Sequence, residues 1–515
     1  MQRFIPTFLL ITGFALFGLT SCVEIPDVTD KPVSTARPAP SSGPLVATSK
    51  SLAKGRAKNE SSMLLVAENK EALEWRLALI DSARSSIDIQ LYLWHKSSSG
   101  RLLFDRLIKA AERGVRVRIL VDDFLFQSSE KDIAAICKHQ PNLDIRIFNP
   151  TYLRGNPVGS AWEFLFNFSR LNRRMHNKTF TADRTMAIVG GRNISDEYYG
   201  LSENYNFFDL DVLVAGPVVA DVSDGFDKFW NCADAYPGEL LSSRGKPEDV
   251  ARIKREISTA LEAEENTRLR SFGIEPRSWD RELGRLRSRM VNGRAVFLQD
   301  DPSPEDDDRV LVRKLSQMTK SQKEEVVFLS PYLIPSDGSI SRLGEARDEG
   351  VKVGVLTPSL AANNQAAVHG HYKKKRGPLI DHGVYLFEMK NQPNEEIRSL
   401  VDTDPVRSKM VNLHGKAVVG DRNRCFVGSL NLDPRAVEIN TESGLLIDSP
   451  KLSEELFSLI KRAAGPENAW RVKRDEKGRL SWSSGDVVME GRPAAPFKKR
   501  VLSFIVGLLP IEGQL

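Results

Sequence analysis

The stretch "MHNKTFTAD" (residues 175–183) carries three ionisable side chains inside an otherwise uncharged run that is typical of a β-strand. They are His176, Lys178 and Asp183, at offsets of 0, +2 and +7. Because side chains alternate between the two faces of a strand, the histidine and the lysine are predicted to point to the same side. The stretch is therefore either a strand that carries charge by chance or one half of an active site.

A second stretch favours the active site. "LHGKAVVGD" (residues 413–421) repeats the pattern with His414, Lys416 and Asp421. Both copies continue to a glycine at +14 and an asparagine at +17, and the asparagines are Asn193 and Asn431. With 73 basic and 68 acidic residues in 515, one histidine meets the pattern by chance in about 2% of cases, so two copies indicate duplication.

Longer segments of the two halves also match. Residues 86–123 ("SIDIQLYLWHKSSSGRLLFDRLIKAAERGVRVRILVDD") and residues 325–359 ("EVVFLSPYLIPSDGSISRLGEARDEGVKVGVLTPS") share one order of features. Each has an apolar strand, a polar loop, an amphipathic helix that ends in a glycine, and a second strand. This order is typical of a βαβ unit. The sequence therefore predicts an α/β fold class and a duplicated chain.

Composition and charge narrow the class of protein. The chain of 515 residues exceeds the usual size of one hydrophobic core, which indicates two or more domains. Its formal charge of +5 is too small to indicate a nucleic-acid partner. Cys137, Cys232 and Cys425 lack metal-ligand spacing, so we expect buried free thiols and no metal site.

The N-terminal stretch "MQRFIPTFLLITGFALFGLTSC" has a basic start, an apolar run and small residues, which predicts a secretory signal peptide over residues 1–21. Its end, "LTSC", resembles the lipobox of bacterial lipoproteins, in which Cys22 would carry the lipid. An uncleaved apolar anchor is the alternative. Both interpretations place the protein at a membrane of a bacterial cell envelope. Val23 is not the aspartate that marks inner-membrane retention, which favours the outer membrane.

Shifts in composition predict the remaining boundaries. Residues 22–60 are rich in Pro, Ser, Ala and Lys, so we expect a flexible tether. The other predicted segments are a first lobe at 61–234, a solvated helical connector at 235–290, a second lobe at 291–465, and a C-terminal extension at 466–515.

Two basic segments have open interpretations. The cluster in "AVHGHYKKKRGPL" (residues 367–379) is predicted to be a solvated helix face, with contact to anionic phospholipid headgroups as the alternative. The short amphipathic segment in "FKKRVLSFIVGLLPIEGQL" (residues 497–515) is expected to pack on a domain as an ordinary helix. Insertion of its apolar face into an anionic membrane interface is the alternative there.

The repeated residues suit phosphodiester chemistry. If the two halves face each other, one pocket receives two imidazoles, two ammonium groups and two carboxamides. The lysines and asparagines can bind the non-bridging oxygens of a phosphodiester. One histidine can attack phosphorus while the other gives a proton to the leaving alkoxide, without a cofactor.

The paired "HxKxxxxD" motifs, followed by "GGRN" and "GSLN", resemble the phospholipase D superfamily over residues 65–450. More narrowly, "FDLDVLVAGP", "GSLNLDPRAVEINTESGLLID" and "LLPIEGQL" are similar to bacterial cardiolipin synthases of the C type. The resemblance implies two lobes, each a mixed β-sheet flanked by helices. It further implies that pseudo-twofold symmetry relates them, with the active site between them.

The resemblance also implies roles for residues. His176 would be the nucleophile that forms a phosphohistidine and His414 the acid, although the sequence is symmetric on this point. A carboxylate downstream of each motif orients an imidazole; the candidates are Glu442 and, when Pro217 and Pro450 are aligned, Asp209, with Asp211 as a rival. Asp183 and Asp421, although part of the motifs, are expected to fix the hairpins that follow.

The implied partners are phospholipids of the phosphatidylglycerol type and a membrane surface. The implied reaction is phosphatidyl transfer that makes cardiolipin, whereas water as the acceptor would give a phospholipase D. A nuclease and a non-catalytic surface lipoprotein are the remaining alternatives, and near-neutral charge and two intact motifs argue against them.

Overall fold

The computed structural model describes residues 31–126, 128–151, 168–303 and 309–514. The predicted signal peptide and Cys22 lie outside these residues. Within them, no helix is long and apolar enough to cross a bilayer.

The first lobe is a mixed sheet flanked by helices. Its strands are β1 (Ser61–Val66), β2 (Ser86–Trp94), β3 (Arg116–Phe126), β4 (Leu143–Phe148), β5 (Thr179–Ala182), β6 (Met186–Gly190), β7 (Tyr205–Phe208), β8 (Asp211–Ala215) and β9 (Ala235–Pro237). Its helices are α1 (Pro44–Ala53), α2 (Asn69–Ser82), α3 (Ser98–Glu112), α4 (Glu130–His139), α5 (Phe168–Asn172), α6 (Val218–Asn231), α7 (Pro247–Glu264) and α8 (Asp280–Arg289). The sheet order is β1-β8-β6-β5-β2-β3-β4-β9, parallel only across β2, β3 and β4.

The second lobe repeats this plan. Its strands are β10 (Val291–Gln299), β11 (Glu325–Leu329), β12 (Lys352–Pro358), β13 (Tyr385–Met389), β14 (Met410–Leu413), β15 (Ala417–Gly420), β16 (Arg424–Gly428), β17 (Ser443–Asp448), β18 (Ala469–Arg474), β19 (Leu480–Ser484) and β20 (Val487–Glu490). Its helices are α9 (Val310–Lys320), α10 (Asp337–Asp348), α11 (Ala366–Asp381), α12 (Glu395–Val401), α13 (Pro450–Ala463) and α14 (Phe497–Leu508). The order β10-β17-β16-β15-β11-β12-β13-β18 matches the first sheet strand for strand, and β19 and β20 extend it.

The two lobes join through equivalent elements. β1 pairs antiparallel with β10, from Ser61 opposite Gly293 to Met63 opposite Val291. One hydrophobic core is shared by the two sheets and takes Val212 from the first lobe and Leu445 from the second. Each sheet also packs its other face against its own helices. The predicted α/β fold with two related lobes is confirmed.

The duplicated βαβ units form for the same local reasons. Ser97 and Ser336 cap the N-termini of α3 and α10 by accepting a backbone N–H bond. Gly114 and Gly350 follow the two helices with φ of +92° and +91°, a left-handed conformation that glycine adopts without strain.

The predicted flexible tether is wrong for its described part. Arg118 donates to the carbonyl of Ser34 (2.9 Å), and α1 buries Leu45 and Leu52 in the core of the first lobe. The Pro- and Ser-rich composition concealed a short helix with an apolar face, and that helix repays its ordering by burial.

The predicted connector and the second-lobe boundary at residue 465 are also wrong. β9 pairs with β4, and α7 and α8 bury Ile257 and Leu286 in the first-lobe core, so residues 235–290 belong to that lobe. β18, β19 and β20 continue the second sheet and bury Trp482. Charged residues dominate these segments, but the apolar residues at helix and strand spacing decide where they pack.

The predicted solvated face of α11 is only partly exposed. His369, His371 and Arg376 are buried, and Arg376 Nε donates to Glu388 Oε1 at 2.5 Å. The face is covered because α14 packs along α11. Packing of α14 on a domain is as expected, but its large apolar side chains stay exposed, which an ordinary surface helix would not show.

Shortening one buried side chain of α1 tests whether this helix belongs to the hydrophobic core of the first lobe. Leu45→Ala should lower the free energy of unfolding by about 2 to 4 kcal/mol, because Leu45 is fully buried and the change leaves a cavity. Val33→Ala in the same segment is the control, since Val33 is 77% exposed. Chemical denaturation measures both, and equal stabilities for the two variants would contradict the packing of α1.

Candidate active site

Each motif histidine is held by the lobe that does not contain it. The backbone N–H of His176 donates to the carbonyl of Thr441 at 2.9 Å, and His176 Nδ1 lies 2.9 Å from both carboxylate oxygens of Glu442. His176 belongs to the first lobe and Glu442 to the second.

The second histidine repeats this geometry in reverse. The backbone N–H of His414 donates to the carbonyl of Phe208 at 2.9 Å, and His414 Nδ1 lies 2.6 Å from Asp209 Oδ2. This contact follows from the parallel pairing of β7 with β14, in which Phe208 lies opposite Leu413. Each carboxylate thus directly follows the residue whose carbonyl fixes the backbone of the histidine that it holds.

The structure brings Glu442 and Asp209 to the imidazoles but assigns them across the lobes. A carboxylate that accepts the Nδ1 proton orients the imidazole so that Nε2 is the nitrogen available for reaction; in His414 this atom lies 3.2 Å from Lys416 Nζ. The rival Asp211 does not reach an imidazole; it pairs with Arg76 at 3.0 Å and Arg192 at 3.3 Å.

The motif lysines lie beside the histidines. Lys178 Nζ donates to the carbonyl of His176 at 2.6 Å, and Lys416 Nζ to that of His414 at 2.5 Å. Burial lowers the pKa of Lys178 to about 7 and that of Lys416 to about 8, although nearby carboxylates oppose the shift. The pocket therefore holds two ammonium groups that gain from an anionic ligand.

The two imidazole–carboxylate pairs differ in charge. Burial, followed by the charge of Lys178, lowers the pKa of His176 well below 6.5. Burial and Lys416 lower the pKa of His414 to about 4, but Asp209 acts against this shift. Burial tends to raise the pKa of Asp209, yet His414 and Lys416 hold it well below its usual range. Burial therefore favours the neutral form of both imidazoles, and the ionised Asp209 makes a proton on His414 less costly.

Glu442 has different surroundings from Asp209. Burial raises its pKa well above 4.5, against the effects of Lys178 and of the Ser429 hydroxyl, which donates to Oε2. At the position equivalent to Ser429 the first lobe has Gly191, because Asp209 is one carbon shorter and approaches the backbone. A Cβ at Gly191 would lie 2.3 Å from Asp209 Oδ1.

Three tyrosines complete the walls and were missed from the sequence. Tyr92 presents its edge to His176 at 5.0 Å between ring centroids, and Tyr332 to His414 at 6.5 Å. The repeat of "YL" in "IQLYLWH" and "LSPYLIP" could have identified Tyr92 and Tyr332 as equivalent residues of the two lobes. Tyr198 has no such repeat; its hydroxyl lies 3.4 Å from His414 Nε2.

The motif asparagines are buried at equivalent positions. Asn193 Nδ2 donates to the hydroxyl of Tyr198 at 2.9 Å. The side-chain oxygens of Asn193 and Asn431 are buried with no hydrogen-bond partner among the described residues. Unpaired polar atoms inside a pocket are positions where a polar ligand can bind.

Asp183 and Asp421 stand apart from the imidazoles. The Asp183 carboxylate accepts backbone N–H bonds from residues 84–86, where β2 begins, and Asp421 accepts them from residues 323–325, where β11 begins. Both residues have a positive φ, +53° and +44°, in the turn that follows the motif strand. Their contacts fix the hairpin against the central strand of each sheet.

The predictions of no metal site and of free thiols concern the His, Cys, Asp and Glu side chains. Among the described residues, no cluster of His, Cys, Asp and Glu has the arrangement of a metal site. Cys137, Cys232 and Cys425 are free thiols as expected, but only Cys425 is buried, and the other two are partly buried.

Two lobes of one fold that each supply a histidine, a lysine and an asparagine, with carboxylates exchanged between them, define an enzyme of the phospholipase D type. A family model described as "Cardiolipin synthase, PLD-like domain" matches residues 77–230 and 315–463. The chain belongs to this phospholipase D-like family.

Individual relatives agree with this assignment. The chain is 34% identical to cardiolipin synthase C of Escherichia coli over 86% of its own length and 94% of that protein. It is 30% identical to an uncharacterized protein of Helicobacter pylori, over 80% of the chain and 81% of that protein. A crystal structure of phosphatidylserine synthase from Haemophilus influenzae has a TM-score of 0.55 at 15% identity, covers 84% of this chain and 93% of its own, and shares the fold.

Gly191→Ala tests the close approach of Asp209. The added methyl would displace the carboxylate from His414, and we expect turnover of a phosphodiester substrate to fall about 100-fold, as small misplacements of reacting groups do. Gly284→Ala is the control, because a Cβ at this exposed position meets nothing within 4 Å. Equal activities of the two variants would show that the contact does not position His414.

Proposed function

We propose that this enzyme transfers phosphatidyl groups between phospholipids through a phosphohistidine and thereby makes cardiolipin. The observation that carries the proposal is the pair of imidazoles, each held at Nδ1 by a carboxylate of the other lobe beside a buried lysine. The similarity to cardiolipin synthase C over nearly all of that protein supports the choice of lipid and product.

In the first half-reaction His176 Nε2 attacks the phosphorus of a phosphatidylglycerol. The bond between phosphorus and the headgroup oxygen breaks, and the glycerol alkoxide takes the proton of His414. In the second, His414 accepts a proton from a hydroxyl of another phosphatidylglycerol. That oxygen attacks phosphorus, the phosphorus–nitrogen bond breaks, and His176 is released.

The asymmetry of charge supports this order of roles. A nucleophile must be neutral, and the pKa of His176 lies well below 6.5. An acid must carry a proton, whereas burial and Lys416 lower the pKa of His414 to about 4; ionised Asp209 opposes this shift, and a bound phosphodiester anion would add to its effect. Lys178, Lys416 and the two asparagines would bind the non-bridging oxygens and the charge that develops on them.

The place of the reaction belongs to the proposal. A lipid on Cys22 would hold the enzyme at a membrane of the cell envelope, with the outer membrane preferred because Val23 follows Cys22. Its support is the sequence of residues 1–23 and the lipid nature of the proposed substrates.

A product assay tests the reaction directly. The purified protein is incubated with labelled phosphatidylglycerol and should form cardiolipin and free glycerol in equal amounts. Phosphatidic acid as the main product would instead indicate hydrolysis. His176→Ala and His414→Ala should each reduce turnover at least about 1000-fold, because each removes a reacting group. The exposed His139→Ala serves as the matched control. Near-normal activity of either motif variant would refute the two-histidine mechanism.

The pH profile of kcat/KM tests the role of the lysines. An ammonium group binds the phosphodiester only below its pKa, so kcat/KM should fall as the pH rises through about 7 and 8, the pKa values of Lys178 and Lys416. His414 must carry a proton and its pKa is lowered to about 4, so the decline with rising pH begins below pH 6.5. His176 must stay neutral, and its lowered pKa predicts no loss on the acid side until well below pH 6.5. A profile that rises from pH 7 to 9 would contradict this account.

A further inference from the structure

The C-terminal helix α14 exposes its large apolar side chains and buries its small ones. Of the fourteen large apolar side chains that are exposed among the described residues, seven lie within residues 497–509. They are Phe497, Val501, Leu502, Phe504, Ile505, Leu508 and Leu509, with exposed fractions from 38% to 75%. The residues that α14 buries are Ser503 and Gly507. A surface helix of a soluble protein normally has the opposite arrangement.

The packing of α14 on α11 fixes this orientation. A Cβ at Gly370 would lie 2.5 Å from the carbonyl oxygen of Ser503, and a Cβ at Gly507 would lie 2.7 Å from the carbonyl oxygen of Gly370. The two backbones therefore approach so closely that only small residues fit between them. A rotation of α14 that buried Phe504 or Ile505 against α11 would require the helices to separate.

The exposed apolar face has a basic border. Lys498 and Arg500 belong to α14, Lys373 and Lys374 belong to α11 on which it packs, and Arg492 lies near enough to act on the charge of Lys373. Lys373 Nζ lies 5.5 Å from the ring centroid of Phe504. Burial and the charges of Arg492 and Lys374 lower the pKa of Lys373. Among the described residues no ion pair involves any of these five side chains, whereas the neighbouring Lys375 pairs with Asp337 at 3.2 Å and with Glu512 at 3.0 Å. The surface that combines the seven apolar and five basic side chains is called the C-terminal surface below.

One end of the C-terminal surface is joined to the wall of the active site. Lys499 Nζ donates to the carbonyl of Asn363 at 2.8 Å. The adjacent Asn364 accepts a hydrogen bond from the hydroxyl of Tyr332 at 3.0 Å, and the Tyr332 ring presents its edge to His414.

The residues that follow α14 reach the other side of the site. Gln514 Oε1 accepts from Asn172 Nδ2 at 2.7 Å, and Arg435 Nη1 donates to the Gln514 carbonyl at 3.3 Å. Arg435 is one of the charges that lower the pKa of His176. Residues 497–514 therefore run between the two walls of the site, with the apolar face of α14 turned outward.

We propose that the C-terminal surface docks the enzyme on an anionic lipid bilayer, with the apolar face of α14 inserted at the interface and the active site placed over the lipid headgroups. The inference rests on the proposed function for its purpose, because a site that acts on bilayer lipids must meet them at the interface. The occupant follows from charge complementarity: apolar side chains enter the acyl boundary while the basic border meets anionic headgroups, each basic group contributing to the attraction.

A local fluorescence probe tests docking separately from any lipid anchor at the N-terminus. The full chain with Ile505→Cys, labelled with an environment-sensitive fluorophore, is mixed with vesicles that contain phosphatidylglycerol or only phosphatidylcholine. Val488→Cys is the matched control, because Val488 is 59% exposed but lies on β20 outside the surface. Labelled chain without either substitution gives the background from the native cysteines.

The proposal predicts a blue shift at residue 505 with phosphatidylglycerol vesicles, a smaller shift with phosphatidylcholine and none at residue 488. No shift at residue 505, or equal shifts with both vesicles, would overturn it. A shift that grows with protein concentration in the absence of vesicles would identify a second copy of the chain as the occupant and would also overturn it.

Turnover separates a failure of docking from a failure of the proposed function. Phe504→Ser with Ile505→Ser should lower turnover of phosphatidylglycerol in vesicles at least about tenfold, because two large apolar groups no longer enter the interface. In detergent micelles the same variant should match the unsubstituted chain. Val487→Ser with Val488→Ser is the control and should be normal in both. Equal loss in vesicles and micelles would overturn docking, whereas an unsubstituted chain inactive in both would refute the proposed function and leave the fluorescence result to decide on docking.

Discussion

The exchange of carboxylates between the lobes is the constraint on which the site depends. Glu442 holds His176 and Asp209 holds His414, and in both cases the preceding backbone carbonyl accepts the N–H of the same histidine. Neither lobe on its own contains both the imidazole and the carboxylate of a hydrogen-bonded pair. The pairing of β1 with β10 and the shared core between the sheets therefore position reacting groups as well as stabilising the chain.

The site also buries two lysine side chains, Lys178 and Lys416, whose ammonium charges the surrounding carboxylates only partly stabilise. Burial of Lys178 and Lys416 lowers their pKa values to about 7 and about 8, so their charged forms are costly to bury. A phosphodiester between them would offset part of that cost and raise both pKa values. The carboxamide oxygens of Asn193 and Asn431 are buried without a partner among the described residues, and these acceptors favour a ligand that also carries a donor such as a hydroxyl group.

Much of the site could be predicted from two matching stretches, since equal offsets in related halves identify His176 and His414 without any structure. The sequence could not show that each histidine is held by a carboxylate of the opposite lobe, because offsets along one half carry no information about contacts with the other half. Tyr198 was missed since it has no repeat. Composition also misled where a few apolar residues decide packing: Leu45 anchors a helix inside the Pro-rich segment, and the apolar face of α14 points outward because Gly507 packs inward.

Histidine-selective nitrogen-15 NMR tests the exchange between lobes most directly. The account predicts that Glu442→Gln shifts the ring-nitrogen signals of His176, in the opposite lobe, and leaves those of His414 nearly unchanged. Asp209→Asn should have the reverse effect, with the signals assigned from single histidine substitutions. If each substitution instead perturbed only the histidine of its own lobe, the reciprocal pairing would be wrong.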